Sequence, residues 1–417
     1  MRGYRPWFSF CKARRKLTHS GCCCYYSNPI AVEKIAQNIG RKYIYQAMLV
    51  ALGLAIAVAS YFYWAKFDGQ ITGFFRIGSV LPLSPLLNPA ATLIYQGELG
   101  YDGQQFLTIA LDPGLHNPDS IAALDHPSYR YRRILYPLLG YVLGLGNPVL
   151  IPWALVFINI VAIAVCTGLT AFYFQDQKQK TMGALAVLAI PGMWMVLFLS
   201  TADLLASVFS LGAVVCQAIF PLHQNKKWWL VPFLLALGLL TRETTLIIWL
   251  AIALTLGQNR QWRSMGVLLL SLLPLTLWLG YIHGRQLPGG SGTGNFGWPL
   301  VGIGEKFQNL IQTGLTANNL YEAFLWFLLL FTLALLVWLT LPQRRGNITL
   351  TYGGWLYGGL LLVASFYILN YYLNYSRVFL DVFLLTILAM ASTSRLIRWL
   401  YTAIAGLGSV TFLLLKS

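Results

Sequence analysis

The sequence predicts an all-α fold: a polytopic membrane helix bundle with a long first extracytoplasmic loop bearing short surface helices. Three observations predict it. Apolar residues make up 57% of the 417-residue chain, charged residues only 10%, and the mean hydropathy is +0.62; a soluble globular chain carries roughly 25% charged residues. Apolar runs of near-span length recur, and about 20 such residues cross the hydrocarbon of a bilayer as one helix. The backbone polar groups of those runs must pair within helices, because lipid offers them no partner.

The charge pattern sets the expected orientation. The formal net charge is +16, and residues 1–42 hold nine Lys or Arg against the single Glu33. A basic segment before the first span is retained in the cytoplasm. Topology therefore accounts for the excess, and nucleic-acid binding is not expected. No cleavable signal peptide is read: the basic region is too long, and no small-residue cleavage site follows the first apolar run. Of the six cysteines, Cys22, Cys23 and Cys24 form a run on the cytoplasmic side, where structural disulfides are disfavoured. That run reads either as a palmitoylation site or as part of an unstructured leader.

Residues 43–64, "YIYQAMLVALGLAIAVASYFYW", read as the first span, with Tyr and Trp as interfacial anchors. Residues 65–133 follow as a hydrophilic loop, and 283–322 form a second one containing "PGGSGTGNFGWP". The short run 134–146 ends at Gly146-Asn147-Pro148, and 149–174, 183–198, 202–220, 229–256 and 264–282 are further spans. Spans at 323–341, 349–369, 373–390 and 400–415 finish the chain, giving about ten to twelve crossings at roughly 20 residues each. Residues 1–42 are taken as a separate cytoplasmic segment and 43–417 as one integral-membrane domain, with both long loops on the outer face. Lys178/Lys180, Lys226/Lys227, Arg260/Arg263, Arg344/Arg345 and Arg395/Arg398 all favour the cytoplasm. One simple span count cannot satisfy them all, and half-crossing segments within 134–256 would change the parity.

Six of the thirteen acids fall in the first loop, and three of them, Glu98, Asp102 and Asp112, lie within "YQGELGYDGQQFLTIALDP". Gly103 allows close backbone approach beside Asp102. The stretch "QQFLTIAL" is expected to lie as a short helix on the membrane surface, with Asp102 just before its N-terminus. Asp102 there is either a functional carboxylate or an N-cap. In "HPSYRYRRILYP", Arg130, Arg132 and Arg133 stand just outside an apolar run. The guanidinium fork suits phosphate oxygens, and snorkelling to lipid headgroups is the alternative. Arg242-Glu243 interrupts an apolar span, which marks either a functional site or an internal ion pair. Asp203 and Arg377 give weaker forms of the same signal, and Arg377 could pair with Asp381 four residues on. No His spacing supports a metal site.

Tyr-Asp-Gly-Gln at 101–104, Arg-x-Arg-Arg-Ile-Leu-Tyr-Pro at 130–137 and Thr-Arg-Glu-Thr at 241–244 together resemble the GT-C superfamily of membrane glycosyltransferases. The resemblance is in particular to bacterial members similar to the mannosyltransferases of the GPI-anchor pathway, and it covers about residues 43–390. The resemblance implies transfer of a sugar, with inversion, from a polyprenyl-phosphate donor to a glycan, lipid or protein hydroxyl. The reaction would take place on the outer face of a membrane, for which a bacterial plasma membrane is expected. It implies Asp102 as general base or metal holder, with Asp112 preferred over Asp119 and Asp125 as a second acid and a divalent ion as a possible cofactor. Tyr101, Gln104, Arg130, Arg132, Arg133, Arg242, Glu243 and Arg377 are the substrate-binding candidates. A transporter or flippase for a lipid-linked or anionic substrate is the rival reading; it calls for repeat symmetry and paired broken helices.

Overall fold

The computed structural model describes residues 29–220, 226–289, 293–314, 316–341 and 347–415. Residues 1–41 and 42–417 form two units. Cys11, Cys22, Cys23, Cys24, Arg344 and Arg345 lie outside the described residues.

The described residues are predominantly helical. The elements used below are α1 (Pro29–Tyr61), α2 (Asp102–Leu111), α3 (Leu135–Leu143), α4 (Leu150–Asp176), α5 (Pro191–Leu199) and α6 (Asp203–Ile219). They continue with α7 (Leu230–Thr241), α8 (Thr245–Gln258), α9 (Trp262–Leu270), α10 (Leu273–Gly284) and α11 (Val301–Gln312). The last are α12 (Ala317–Leu339), α13 (Ile348–Val363), α14 (Tyr372–Val378), α15 (Leu380–Ala389) and α16 (Arg395–Leu415). The described strands are β1 (Ile77–Gly78) and β2 (Ile94–Tyr95), a parallel pair inside the first loop.

Among the described residues, five helices are long and apolar enough to cross a membrane, or up to seven if each of two bent pairs is one span. Four shorter apolar helices, α6, α7, α8 and α13, accompany them. The expectation of ten to twelve spans exceeds the five to seven helices of spanning length among the described residues, because several apolar runs are broken. Pro191 opens α5 after a 60° bend from the 3₁₀ segment Thr181–Ala189. Proline lacks the N–H that would continue the earlier helix. Arg242 is extended (φ −162°, ψ 139°) and separates α7 from α8. The short α3 folds back along α4, with Tyr136 donating to Leu155 O at 3.1 Å and Gly140 lying against the Leu155 side chain.

Cross-contacts sort the helix ends into two groups. At one end the two long loops meet: Ser128 N donates to Pro288 O (3.1 Å), and Arg285 Nη1 to Gly114 O (2.9 Å). At the other end Arg398 Nη1 donates to Gln179 Oε1 (2.8 Å), Thr349 Oγ1 to Gln217 Oε1 (2.9 Å) and Tyr352 OH to Gln258 Oε1 (3.0 Å). Ala47, midway along α1, packs with Ala171 and Ala184 towards that same end. The exposed bases Lys42, Lys178, Lys180, Arg260, Arg263 and Arg395, with half-buried Arg398, therefore lie together. Asp176 is the one acid of residues 42–417 beside them, and Asp381 lies between the ends. The remaining acids lie at the loop-bearing end. We call the two the basic and the acidic end.

The first-loop helix differs from expectation. Instead of lying on a surface, α2 is buried from Gly103 through Leu111. Phe106, Leu107, Ala110 and Leu111 belong to the main apolar core, and the Phe106 and Tyr136 rings meet edge to face at 5.5 Å. Gly103 makes the approach feasible, because a Cβ there would stand 2.2 Å from Leu199 O. The apolar side chains of "FLTIAL" have neighbours on every face, and so α2 plugs the acidic end.

Candidate functional site

Burial of α2 carries Asp102, its first residue, into contact with two other segments. The N-cap position is Tyr101, whose side chain makes no capping bond. Capping is therefore not the role of Asp102. Its Oδ1 accepts from Arg130 Nη1 at 2.6 Å, and its Oδ2 from Arg377 Nη1 at 3.1 Å. Arg130 also grips Asp125 with both Nε (2.8 Å) and Nη2 (2.6 Å). Arg377 reaches on to Asp203 Oδ2 at 3.3 Å, and Asp203 Oδ1 pairs with Arg242 Nη1. Arg133 Nε pairs with Glu243 Oε2 at 2.8 Å. Four guanidiniums thus interlock with four carboxylates.

Local conformation explains how the sequence delivers them. The break at Arg242 turns that side chain to Asp203 and its neighbour Glu243 to Arg133, so the adjacent pair is not an ion pair of its own. Ser200 ends α5 in a left-handed conformation (φ 45°), and Thr201 Oγ1 then holds Asp203 Oδ2 at 2.6 Å. Arg377 closes α14 while Asp381 opens α15, beyond a 48° bend. The expected i,i+4 pairing is lost there: Asp381 takes Tyr357 OH at 2.8 Å and Ser207 Oγ at 2.5 Å instead.

Tyr129 is the aromatic hub. Its ring lies 5.5 Å from the Arg130 guanidinium, 5.8 Å from that of Arg132 and 4.8 Å from that of Arg133. Its hydroxyl receives Arg133 Nη2 at 2.5 Å and Asn295 Nδ2 at 3.1 Å, which brings the second loop to the cluster. Arg132 is half-buried and makes no ion pair among the described residues. Tyr101 stacks under Arg377 at 4.7 Å, receives its Nη2 at 3.2 Å, and bonds Asn374. Burial pushes the Tyr101 hydroxyl up to about 12.

Two expected site residues stand apart. Asp112 caps the end of α2, where its carboxylate accepts from His116 N (3.3 Å) and Asn117 N (3.0 Å). It shapes a turn, as Asp does through local backbone bonds, and the second acid at Arg130 is Asp125. Gln104 is buried, and its Oε1 accepts from Gly78 N at 3.0 Å, tying α2 to β1. Asn295 and Asn374 carry no signal in the sequence, whereas Asp125 is one of the alternatives to Asp112 and Tyr129 is interleaved with the arginines. Asp125 carried a usable signal, since it precedes Arg130 by five residues in the same short unit.

Electrostatics fix the resting state. Burial alone would raise the Asp102 carboxyl, but the guanidiniums of Arg130, Arg377, Arg133 and Arg242 outweigh it and hold the group well below the ordinary carboxylate range. Asp125 is lowered as well: its burial is offset by the hydrogen bond and charge of Arg130. Both oxygens of Asp102 are occupied, so in this state it is an anion held by arginines and a weak base. The described residues hold no group of three His, Cys, Asp or Glu side chains able to ligate a metal. With both Asp102 oxygens bound to guanidiniums, the donor set does not fit a divalent ion, and no step below runs through one.

Beside the cluster lies an apolar groove of about 460 Å³, lined by Pro113, Ile134, Leu138, Leu240, Pro274, Leu277 and Trp278. Ile134 follows Arg133 directly, and Leu240 precedes Arg242 by two residues. Leu138 and Leu277 are exposed at its wall. No protein-family model matches the sequence, and neither curated proteins nor solved structures give a match.

Proposed function

We propose that this chain is an integral-membrane glycosyltransferase of the GT-C type. It moves a sugar from a polyprenyl-phosphate donor to a hydroxyl acceptor, with inversion. The observation that carries the reading is a buried carboxylate clasped by arginines, with an apolar groove whose lining residues Ile134 and Leu240 lie within two residues of Arg133 and Arg242 along the chain. A phosphate on a hydrocarbon chain matches both parts: the groove takes the chain, and the arginines take the phosphate. The basic end then faces the cytoplasm and the acidic end the outside. With the two bent pairs and the four shorter apolar helices all taken as crossings, the seven and the four make eleven spans, within the expected range.

The cluster is balanced in charge, which suggests counter-ion exchange. An entering phosphate competes for Arg130 and Arg377. As they turn to it, Asp102 loses its two cations and becomes more basic. The acceptor hydroxyl oxygen attacks the anomeric carbon, and its proton passes to Asp102. The bond from that carbon to the phosphate oxygen breaks, and its electron pair stays on the phosphate. Arg130, Arg132, Arg133, Arg242 and Arg377 stabilise that growing charge. One positioned base typically contributes about 10²–10⁴-fold.

The test is donor consumption by purified protein in lipid, with a panel of polyprenyl-phosphate sugars and an envelope extract supplying acceptors. Consumption of one donor supports the reading. No consumption by folded protein, together with donor movement across the bilayer, would replace it with a flippase.

A further inference from the structure

Outside the cluster, the described residues bury one lysine completely. Lys306 belongs to α11, in the second long loop, and is fully shielded from solvent. Gly302 and Lys306 are the buried residues of α11, while the rest of the helix is half-buried or exposed. These two positions are the innermost of its attachments; Ile303 and Leu310 also pack against the core, and the Phe307 ring meets those of Trp326 and Phe327. At Gly302 the backbone meets residues 364–366 so closely that a Cβ would stand 2.2 Å from Ala364 O. At Lys306 the attachment is ionic. Nζ donates to Glu322 Oε1 on α12 at 2.5 Å and to Asn370 O at 3.0 Å, and it lies 5.3 Å from the Tyr375 ring.

The other carboxylate oxygen of Glu322 points onward. Oε2 accepts from Tyr372 N at 3.0 Å, the first N–H of α14, and Tyr375 OH donates to Glu322 O at 3.1 Å. Five residues after Tyr372, about 7.5 Å along a helix, Arg377 reaches Asp102. Asn374 on the same helix holds Tyr101. With only seven residues, α14 has little intrinsic persistence. Its second turn packs on Gly192 of α5 at Ser376 O, and its first turn is held by Glu322. A buried Lys–Glu pair is weak evidence for stability, since apolar residues commonly do as well. Fixing one arrangement of α14 accounts for it.

We propose that Lys306 and Glu322 are positioning residues that lock α11 onto α14 and thereby hold Arg377 and Asn374 on Asp102 and Tyr101. Their bearing on turnover rests on the transferase reading above; the structural coupling does not. Hydrogen–deuterium exchange on the full chain in lipid nanodiscs tests it, comparing wild type, Lys306→Met, Glu322→Gln, the double variant and Gly302→Ala. Lys306→Met leaves a buried carboxylate unpaired and should speed exchange at 372–378 and at 101–105 by about tenfold or more. The double variant removes both charges, keeps an acceptor for Tyr372 N, and should return exchange towards wild type. Gly302→Ala pushes α11 off its seat without touching a charge and should loosen the same two segments. Faster exchange confined to 301–322 in both Lys306→Met and Gly302→Ala would overturn the proposal. So would a double variant no better than the worse single one. If turnover is measurable, it should fall in Lys306→Met and recover in the double variant. Failure to find any donor would remove the transferase reading and leave the exchange result standing.

Discussion

The two ends of the bundle carry their charges in opposite ways. At the basic end Lys42, Lys178, Lys180, Arg260, Arg263 and Arg395 are exposed, and no base there forms an ion pair among the described residues. Every ion pair among those residues lies at the acidic end, and its arginines are largely buried: the Arg130 side chain is 11% exposed and that of Arg377 4%. Exposed, unpaired cations cost a protein little and orient it against a membrane. Buried guanidiniums are costly unless every charge is answered. The bases of one end can act through their number alone. The arginines of the other must act through position, which is what a site for an anionic group needs.

That contrast can be broken most forcefully at Asp203. It answers both Arg242 and Arg377, and its removal leaves two buried cations without their shared acid. Asp203→Ala should cost about 3–5 kcal/mol, read as a large fall in the unfolding temperature in lipid. A fall no greater than that of a basic-end variant would void the comparison.

Acid should act on the acidic end next. Asp102 and Asp125 both have folded pKa values below the ordinary 3.8. Groups so lowered stabilise the fold fully above that value and lose the contribution as pH falls through the lowered ones. Unfolding temperature should therefore hold down to about pH 4 and drop below it. In a doubly substituted Asp102→Asn, Asp125→Asn protein this acid limb should be shallower.

Arg132 sharpens the contrast from the side of function. It stacks on Tyr129 and has no acid partner among the described residues. Arg132→Ala should leave the unfolding temperature nearly unchanged and raise the donor KM by roughly tenfold, about one charge-assisted contact. An unchanged KM would remove Arg132 from the phosphate site. The smallest effect belongs to the basic end: Arg398→Ala, losing one bond to Gln179, should shift stability by no more than about 0.5 kcal/mol.

Much of this architecture is legible in the sequence, for physical reasons. The apolar runs and the basic linkers set the helical class, because both depend on composition over long windows. The loop acids and the Arg-rich entry at 130–133 stood out because charges are scarce elsewhere in the chain. What could not be read was partnership. Arg242 and Glu243 are adjacent, yet they turn to Asp203 and Arg133 because one extended residue splits the helix there. Arg377 and Asp381 have helical spacing, yet a bend between α14 and α15 sends them to different neighbours. Asp112 is preferred in the sequence as the second acid because it ends the same helix as Asp102. The fold instead turns Asp112 into backbone bonds and brings Asp125 to Arg130. Burial of α2 was hidden too, since its short apolar run fits a membrane surface and a protein core equally well.

The most direct measurement compares wild type and Asp102→Asn, purified in lipid, for consumption of a polyprenyl-phosphate sugar with acceptor present. Folding of both is checked by their unfolding temperatures. The account requires the folded variant to lose about 10²-fold or more in turnover while still binding the donor. Equal turnover by a folded Asp102→Asn protein would show that the clasped carboxylate is not the base, and the central claim would fall.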